Sequence, residues 1–241
     1  MNSRIARRGG ARAAAWFAAL VAAAHAAPAA DLPFGWAPLP PATLRAPAAR
    51  RVTLVYFDVQ DVMRSGFAGV AEEVSAVFAE VGVDVAWRLG SPGASYGGTP
   101  ERELAVILIP EDPSPVRRSR SILGLVQRGE RPTQNVWAFV NNVERAVGLD
   151  PEPGRDPAPH EYALLSRALG RVVAHEIVHA VAPDHPHDRH GLMKHSLSRS
   201  ALLGGRAPLG QDCARAVLAG LASWPERPPE PRAAEVVVAG P

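Results

Sequence analysis

The chain has 241 residues, of which 47% are hydrophobic and 21% are charged, so it is long enough for one domain with a substantial core. Its formal net charge is +2. Residues 1–26 contribute four arginines and no acidic residue, so the rest of the chain carries a net charge of about −2. This charge gives no reason to expect a nucleic-acid partner. A single cysteine, Cys213, excludes an intramolecular disulfide.

The N-terminus has the pattern of an export signal. Four arginines between positions 4 and 12 precede an apolar run at 13–24, and small residues follow at 24–26. Residues 1–26 therefore predict a secretory signal peptide and a secreted or periplasmic protein. The apolar run is too short to cross a bilayer, so we expect no stable membrane span after cleavage.

Composition divides the rest of the chain into three parts. Residues 27–50 are rich in proline and alanine and predict a linker, whereas residues 225–241 predict a disordered, proline-rich tail. Between them, residues 51–224 predict one folded domain. Its apolar patterns predict strands at about 52–59, 83–88, 103–109 and 135–141, a helix at about 66–81, and a short final helix at 211–223 capped by Asp212; residues 121–128 are ambiguous. The strand, helix and strand at its start predict a right-handed crossover between parallel strands.

A longer helix is predicted from about residue 160 to about residue 181. Apolar side chains recur there at spacings of three and four, prolines mark its start, and Pro183 disfavours helical backbone at Ala182. Six of the eight histidines lie between positions 175 and 195, so the end of this helix is where we expect the chemistry.

His175, Glu176 and His179 form an HExxH pattern near the end of this helix. Residues four apart lie on one helical face, so the two imidazoles can reach a single ion. Glu176 lies about a quarter turn round, near that ion but not bound to it. This geometry is typical of two zinc ligands beside a carboxylate that takes a proton from a zinc-activated water.

The stretch from His175 to His185, followed by Gly191-Leu192-Met193, resembles the HExxHxxGxxH motif and Met-turn of the metzincin zinc metalloproteases. The resemblance covers about twenty residues. It implies that Zn²⁺ is the cofactor, that His175, His179 and His185 are the metal ligands, and that Glu176 is the general base. Met193 would form an apolar floor beneath the metal.

The same resemblance implies an α+β fold. It would have a mixed, twisted sheet of about four strands, a crossover helix, a long active-site helix and a small C-terminal helical subdomain. In that family the last strand before the active-site helix is an antiparallel edge strand that pairs with an extended peptide. Residues 136–141 would take that place here and line the cleft.

The family's glycine corresponds to Ala182, which precedes Pro183, so we expect the chain to turn by another route. This leaves the third ligand open: His185 is preferred on spacing, His187 is the alternative, and His190 is a weaker candidate. His195, two residues after Met193, is either a group that helps to polarise the scissile carbonyl or a plain surface histidine.

Together these features predict a monomeric, secreted zinc endopeptidase acting on peptides or proteins. A secreted module of the same fold that binds zinc without catalysis is the main alternative. A zinc hydrolase acting on another bond, and an accidental HExxH pattern, are the remaining ones.

Overall fold

A computed structural model describes residues 50–60, 62–63, 67–90, 103–111, 121–128, 134–151 and 157–224. The predicted signal peptide, nearly all of the predicted linker and the predicted tail lie outside these residues. The described elements, in chain order, are β1 (Arg51–Asp58), α1 (Phe67–Ala79), β2 (Asp84–Leu89), β3 (Glu103–Ile109), β4 (Gly124–Arg128), β5 (Gln134–Phe139), α2 (Val140–Val147), α3 (Pro159–Val181), α4 (Arg199–Leu203) and α5 (Gln211–Ser223).

The described strands form one mostly parallel sheet in the order β2-β1-β3-β5-β4. Strands β2, β1, β3 and β5 run parallel, and β4 pairs antiparallel with β5. Helix α1 connects β1 to β2, so the predicted crossover between parallel strands is confirmed. The predicted helix at 160–181 and the strand at 103–109 are also found, at Pro159–Val181 and Glu103–Ile109.

The antiparallel edge of the sheet differs from the expectation. Strand β5 is an inner strand, because it pairs with β3 on one side and with β4 on the other. The expectation that residues 136–141 form the edge strand is therefore wrong, and the edge is β4, from the segment that the sequence left ambiguous. The sheet consequently has five described strands instead of about four. The chain also leaves β5 earlier than predicted, because residues 140–147 form α2.

Helix α3 is the centre of the domain and is buried over most of its length. It begins at a proline, where a missing N–H costs nothing, and the Glu161 carboxylate accepts the N–H of Ala158 at 2.7 Å. Close packing against α1 needs glycine at two points: a Cβ on Gly69 would lie 2.7 Å from Ser166 Cβ, and one on Gly170 would lie 2.6 Å from Glu73 Cβ. The two helices therefore approach closely, which holds α3 firmly in place.

Arg171 is a buried charge on α3, only 3% exposed. Its Nε donates to Glu73 on α1 at 2.7 Å, and its other nitrogens donate to the carbonyls of Ala201 at 2.7 Å and Gly204 at 3.0 Å, and to that of Gly205. A buried guanidinium is tolerated only when it is paired and hydrogen-bonded in this way. The side chain thus joins α3 to α1 and to the end of α4.

The C-terminal helix α5 is found where the sequence predicted it, at Gln211–Ser223, but its cap is different. The N-cap is Gly210, and Asp212 lies inside the first turn. Its carboxylate is stabilised there by the positive end of the helix dipole. Helix α5 lies against the end of α3, since a Cβ on Gly220 would meet the carbonyl of Val181. No helix among the described residues is long and apolar enough to cross a membrane.

Candidate metal centre

The chain turns sharply where α3 ends. Ala182 caps the helix with φ −124° and ψ 69°, so the position of the family's glycine has a negative φ here and does not need the left-handed backbone that favours glycine. The expectation of another route for the turn is confirmed. The N–H of His185 donates to the carbonyl of Ala182 at 3.0 Å, and the segment after this turn folds back beside the helix.

Three imidazoles converge at the end of α3. The Nε2 atoms of His175 and His187 each lie 3.1 Å from Nε2 of His179. His175 is buried, His179 is half-buried and His187 is exposed, so the group opens toward solvent on one side. The structure therefore places one helical turn of α3 and the loop after it around a common point.

His185, the preferred third ligand, is not part of this group. Its Nε2 lies 3.5 Å from Asp188 Oδ1, and both residues gather near Cys213. The preference for His185 as the third ligand is therefore wrong. The turn at Ala182 and Pro183 directs His185 toward α5, and the chain comes back to the face of α3 two residues later. His187, the alternative, takes that place. His190 is exposed and belongs to neither group.

The outer nitrogen of His175 is fixed by the backbone. Its Nδ1 lies 2.9 Å from the carbonyl oxygen of Leu192, which accepts, so Nδ1 carries the proton and Nε2 presents a lone pair. Burial lowers the pKa of His175. Partial desolvation lowers the pKa of the more exposed His187, and the like charge of His195 lowers it further. All of these effects favour neutral imidazoles, which is the form that binds a metal.

The donor set fits Zn²⁺. Three neutral imidazole nitrogens are a common catalytic zinc set, and a fourth coordination position then remains for water or substrate. Nitrogen atoms of this set approach to 3.1 Å, and a cation held between them would accept the lone pair of each imidazole in the tautomer that carries its proton on Nδ1. The chemistry of these residues therefore supports Zn²⁺ as the cofactor.

Glu176 lies beside the three-histidine set, next to His175 on α3. A Cβ on Gly124 would lie 3.0 Å from its Cγ, so the side chain extends toward the edge strand β4. Burial raises the pKa of its carboxyl to about 8, and a cation nearby acts in the opposite direction. A carboxyl with these properties is suited to accepting and returning a proton.

A cleft of about 880 Å³ opens over the histidines. Glu176 and the three imidazoles line one side, and residues 121–126, which lead into and form the start of β4, line another. Strand β4 thus takes the place that the sequence gave to residues 136–141. Glycine at 124 permits this arrangement, because a Cβ there would also lie 2.8 Å from the carbonyl oxygen of Trp137.

His195 and Met193 have different surroundings. His195 is exposed, lines the cleft, and its ring centroid lies 5.1 Å from that of His187. Met193 is fully buried, and its carbonyl accepts the N–H of Asp188 at 2.7 Å. Its role as an apolar floor beneath a metal stays a prediction.

The solved structures that are similar to this chain include those of two proteins, an archaemetzincin and a zinc-dependent peptidase. One is archaemetzincin from Methanopyrus kandleri, with 19% sequence identity and a TM-score of 0.45, covering 74% of this chain and 99% of its own. The other is a zinc-dependent peptidase from Methanocorpusculum labreanum, with 14% identity and a TM-score of 0.45, covering 68% of this chain and 99% of its own. No protein-family model and no curated protein matches the chain.

Two parts of the site were missed by sequence reasoning. The carbonyl of Leu192, which orients His175, is a backbone group and has no sequence signal. Gly124 does have a sequence signal, because a glycine in a short strand often marks a place where another element approaches closely.

Proposed function

We propose that this protein is a secreted, zinc-dependent endopeptidase that binds its zinc through His175, His179 and His187 and uses Glu176 as the general base. The observation that carries this proposal is the convergence of three imidazole nitrogens, two of them 3.1 Å from the third, next to a carboxyl in the lining of an open cleft. The resemblance of the HExxH stretch to the metzincin motif supports the same chemistry.

When bound, zinc lowers the pKa of a coordinated water toward about 7 and polarises a carbonyl oxygen. Glu176 then accepts a proton as the water oxygen bonds to the carbonyl carbon. It passes that proton to the amine nitrogen as the C–N bond breaks, so the carboxylate is regenerated. The partly buried position of Glu176 beside Gly124 holds the carboxyl at the cleft wall, where it can do both.

The edge strand β4 supports a peptide as the substrate. Among the described strands β4 pairs only with β5, so its other side presents backbone N–H and C=O groups. An extended peptide can add to such an edge by main-chain hydrogen bonds, while alternate side chains point into the cleft. A peptide bound in this way has a scissile carbonyl near the histidines, and its binding does not require one particular side chain.

The test combines metal analysis with peptide cleavage. Purified protein, His179→Ala and Glu176→Gln are compared for zinc content and for cleavage of a mixed peptide library. We expect Glu176→Gln to keep the zinc that His179→Ala loses, and to cleave about 10²- to 10⁴-fold more slowly than the unaltered protein. Zinc binding without cleavage of any peptide would favour the non-catalytic module, and full activity in Glu176→Gln would contradict the proposed base.

Export is tested separately. If residues 1–26 are a signal peptide, the protein recovered from the periplasm or medium should begin at Ala27. Recovery of the intact N-terminus inside the cell would contradict secretion.

A further inference from the structure

A second cluster of metal-ligating side chains lies behind the candidate metal centre. His185 and Asp188 come from the loop after α3, and Cys213 comes from the first turn of α5. One ligand atom from each, an imidazole nitrogen, a carboxylate oxygen and Sγ, lies within 4.8 Å of the other two. We infer that these three residues form a second, structural site for a zinc-like divalent cation, which ties the loop that carries His187 to helix α5.

Two buried polar atoms in this cluster lack hydrogen-bond partners. Nε2 of His185 and Oδ2 of Asp188 are both buried and have no such partner within the part of the chain that the structure describes. The His185 side chain is only 7% exposed, and Asp188 Oδ1 lies 3.5 Å from its Nε2, which is too long for a good hydrogen bond. Leaving such groups unsatisfied costs free energy, and a shared cation would satisfy both.

The three donors suit zinc. Thiolate sulfur, imidazole nitrogen and carboxylate oxygen are its usual ligands, with bonds of about 2.0–2.3 Å that set neighbouring ligands roughly 3.3–3.8 Å apart. The ligand atoms lie within 4.8 Å of one another, so side-chain movements of about 1 Å bring them into that range. A water is the natural fourth ligand, because the Asp188 side chain is 26% exposed.

The same residue types also occur in thiol hydrolases, but burial argues against that use. Cys213 is fully buried, and burial raises the pKa of its thiol to about 12, with a further contribution from the charge of Asp188. A thiol of this kind is a poor nucleophile and cannot meet a substrate. A cation offsets both effects, and the start of α5 adds a favourable helix dipole for a thiolate ligand.

The site has a structural consequence for the catalytic set. His187 stands between His185 and Asp188 in the sequence, so a cation held by those two residues fixes the loop on both sides of it. The N–H of Asp188 also donates to the carbonyl of Met193 at 2.7 Å, which ties this loop to the returning chain. The second cation would therefore hold His187 in reach of α3.

Metal counting and cobalt spectroscopy test this inference. Chelator-stripped protein is reloaded with Zn²⁺ for elemental analysis, and with Co²⁺ for absorption spectra, because only a thiolate ligand gives a sulfur-to-cobalt charge-transfer band. The variants are Cys213→Ala, Asp188→Asn and His179→Ala. Val217→Ala is the matched control, since Val217 is fully buried one turn further along α5 and offers no ligand.

We expect two zinc ions per chain in the unaltered protein and in Val217→Ala, and one in Cys213→Ala and in His179→Ala. The charge-transfer band should persist in His179→Ala, weaken in Asp188→Asn at limiting cobalt, and vanish in Cys213→Ala. The inference would be overturned if the unaltered protein bound a single zinc and His179→Ala bound none. It would also be overturned if His179→Ala showed no thiolate band. If Cys213→Ala does not fold, the spectra of the other variants still decide.

This test is independent of the proposed peptidase activity. The band in His179→Ala reports the Cys213 cluster without the three-histidine set, whereas cleavage by the unaltered protein reports the three-histidine set whether or not a second ion is bound. Failure of either proposal is therefore visible without the other.

Discussion

Nε2 of His179 and Nε2 of His187 lie 3.1 Å apart, although one belongs to the last turn of α3 and the other to the loop eight residues further on. This relationship assigns the third position of the candidate zinc set. It also separates His187 from His185, which pairs with Asp188 instead.

Replacing these two histidines should therefore have different effects. We expect His187→Ala to lose the zinc of the three-histidine set and to lower cleavage by more than about 100-fold, because even groups that only orient a ligand are worth about 10- to 100-fold. His185→Ala should keep that zinc and should retain more cleavage activity than His187→Ala. Zinc content and peptide cleavage are the measurements, and the reverse pattern would make His185 the ligand.

Gly124 sets how closely β4 approaches α3. We expect Gly124→Ala to lower the free energy of unfolding by about 1–3 kcal/mol, because the new Cβ would lie 2.8–3.0 Å from Trp137, Val172 and Glu176. Peptide cleavage should fall as well, since Glu176 must move. Chemical denaturation checks the first effect, with Gly205→Ala as the control, because a Cβ there meets nothing within 4 Å. Equal stability of the two variants would refute the close approach.

Arg171 offers a test of the packing between α3, α1 and α4. We expect Arg171→Met to cost about 3–5 kcal/mol, because it removes the buried guanidinium that donates to Glu73 and to the backbone carbonyls after α4. Arg215→Met is the matched control, since its pair with Asp212 is about 78–79% exposed and should contribute only about 0–1 kcal/mol. Denaturation curves measure both, and a cost for Arg171→Met as small as that of the control would argue against this role.

His195 tests whether the cleft has a second catalytic group. We expect His195→Ala to keep its zinc and to cleave peptides roughly 10-fold more slowly, less than the 10²- to 10³-fold typical of a well-buried donor, because His195 is exposed. His190→Ala is the control, as another exposed histidine of the same loop region. Steady-state cleavage rates decide, and an unchanged rate in His195→Ala would leave it a surface histidine.

Long apolar patterns made much of the fold predictable. Strand β3 is an unbroken apolar run that is almost wholly buried, and α3 has a regular helical spacing between prolines. Strand β4 was ambiguous because it is short and most of its residues are half-buried, so it lacks a clear alternation. Helix α2 was missed because it starts directly after β5 at Val140, with no side-chain cap on Phe139 to mark the boundary.

The metal centre was predictable only where it lies on the helix. His175, Glu176 and His179 follow from the regular geometry of α3, since a spacing of four residues fixes their common face. The choice between His185 and His187 depended on the dihedral angles of the turn at Ala182, where φ is −124° and ψ is 69°. Spacing alone carries no information about such a turn.

Two of the three histidines belong to a helix that the hydrophobic core holds in place, whereas His187 belongs to an exposed loop. A chelator should therefore release that loop and leave the domain folded. Inactivation by metal removal would then be quickly reversible, and the apo protein would keep nearly all of its protected amides in hydrogen exchange, with new exchange confined to the segment after Val181.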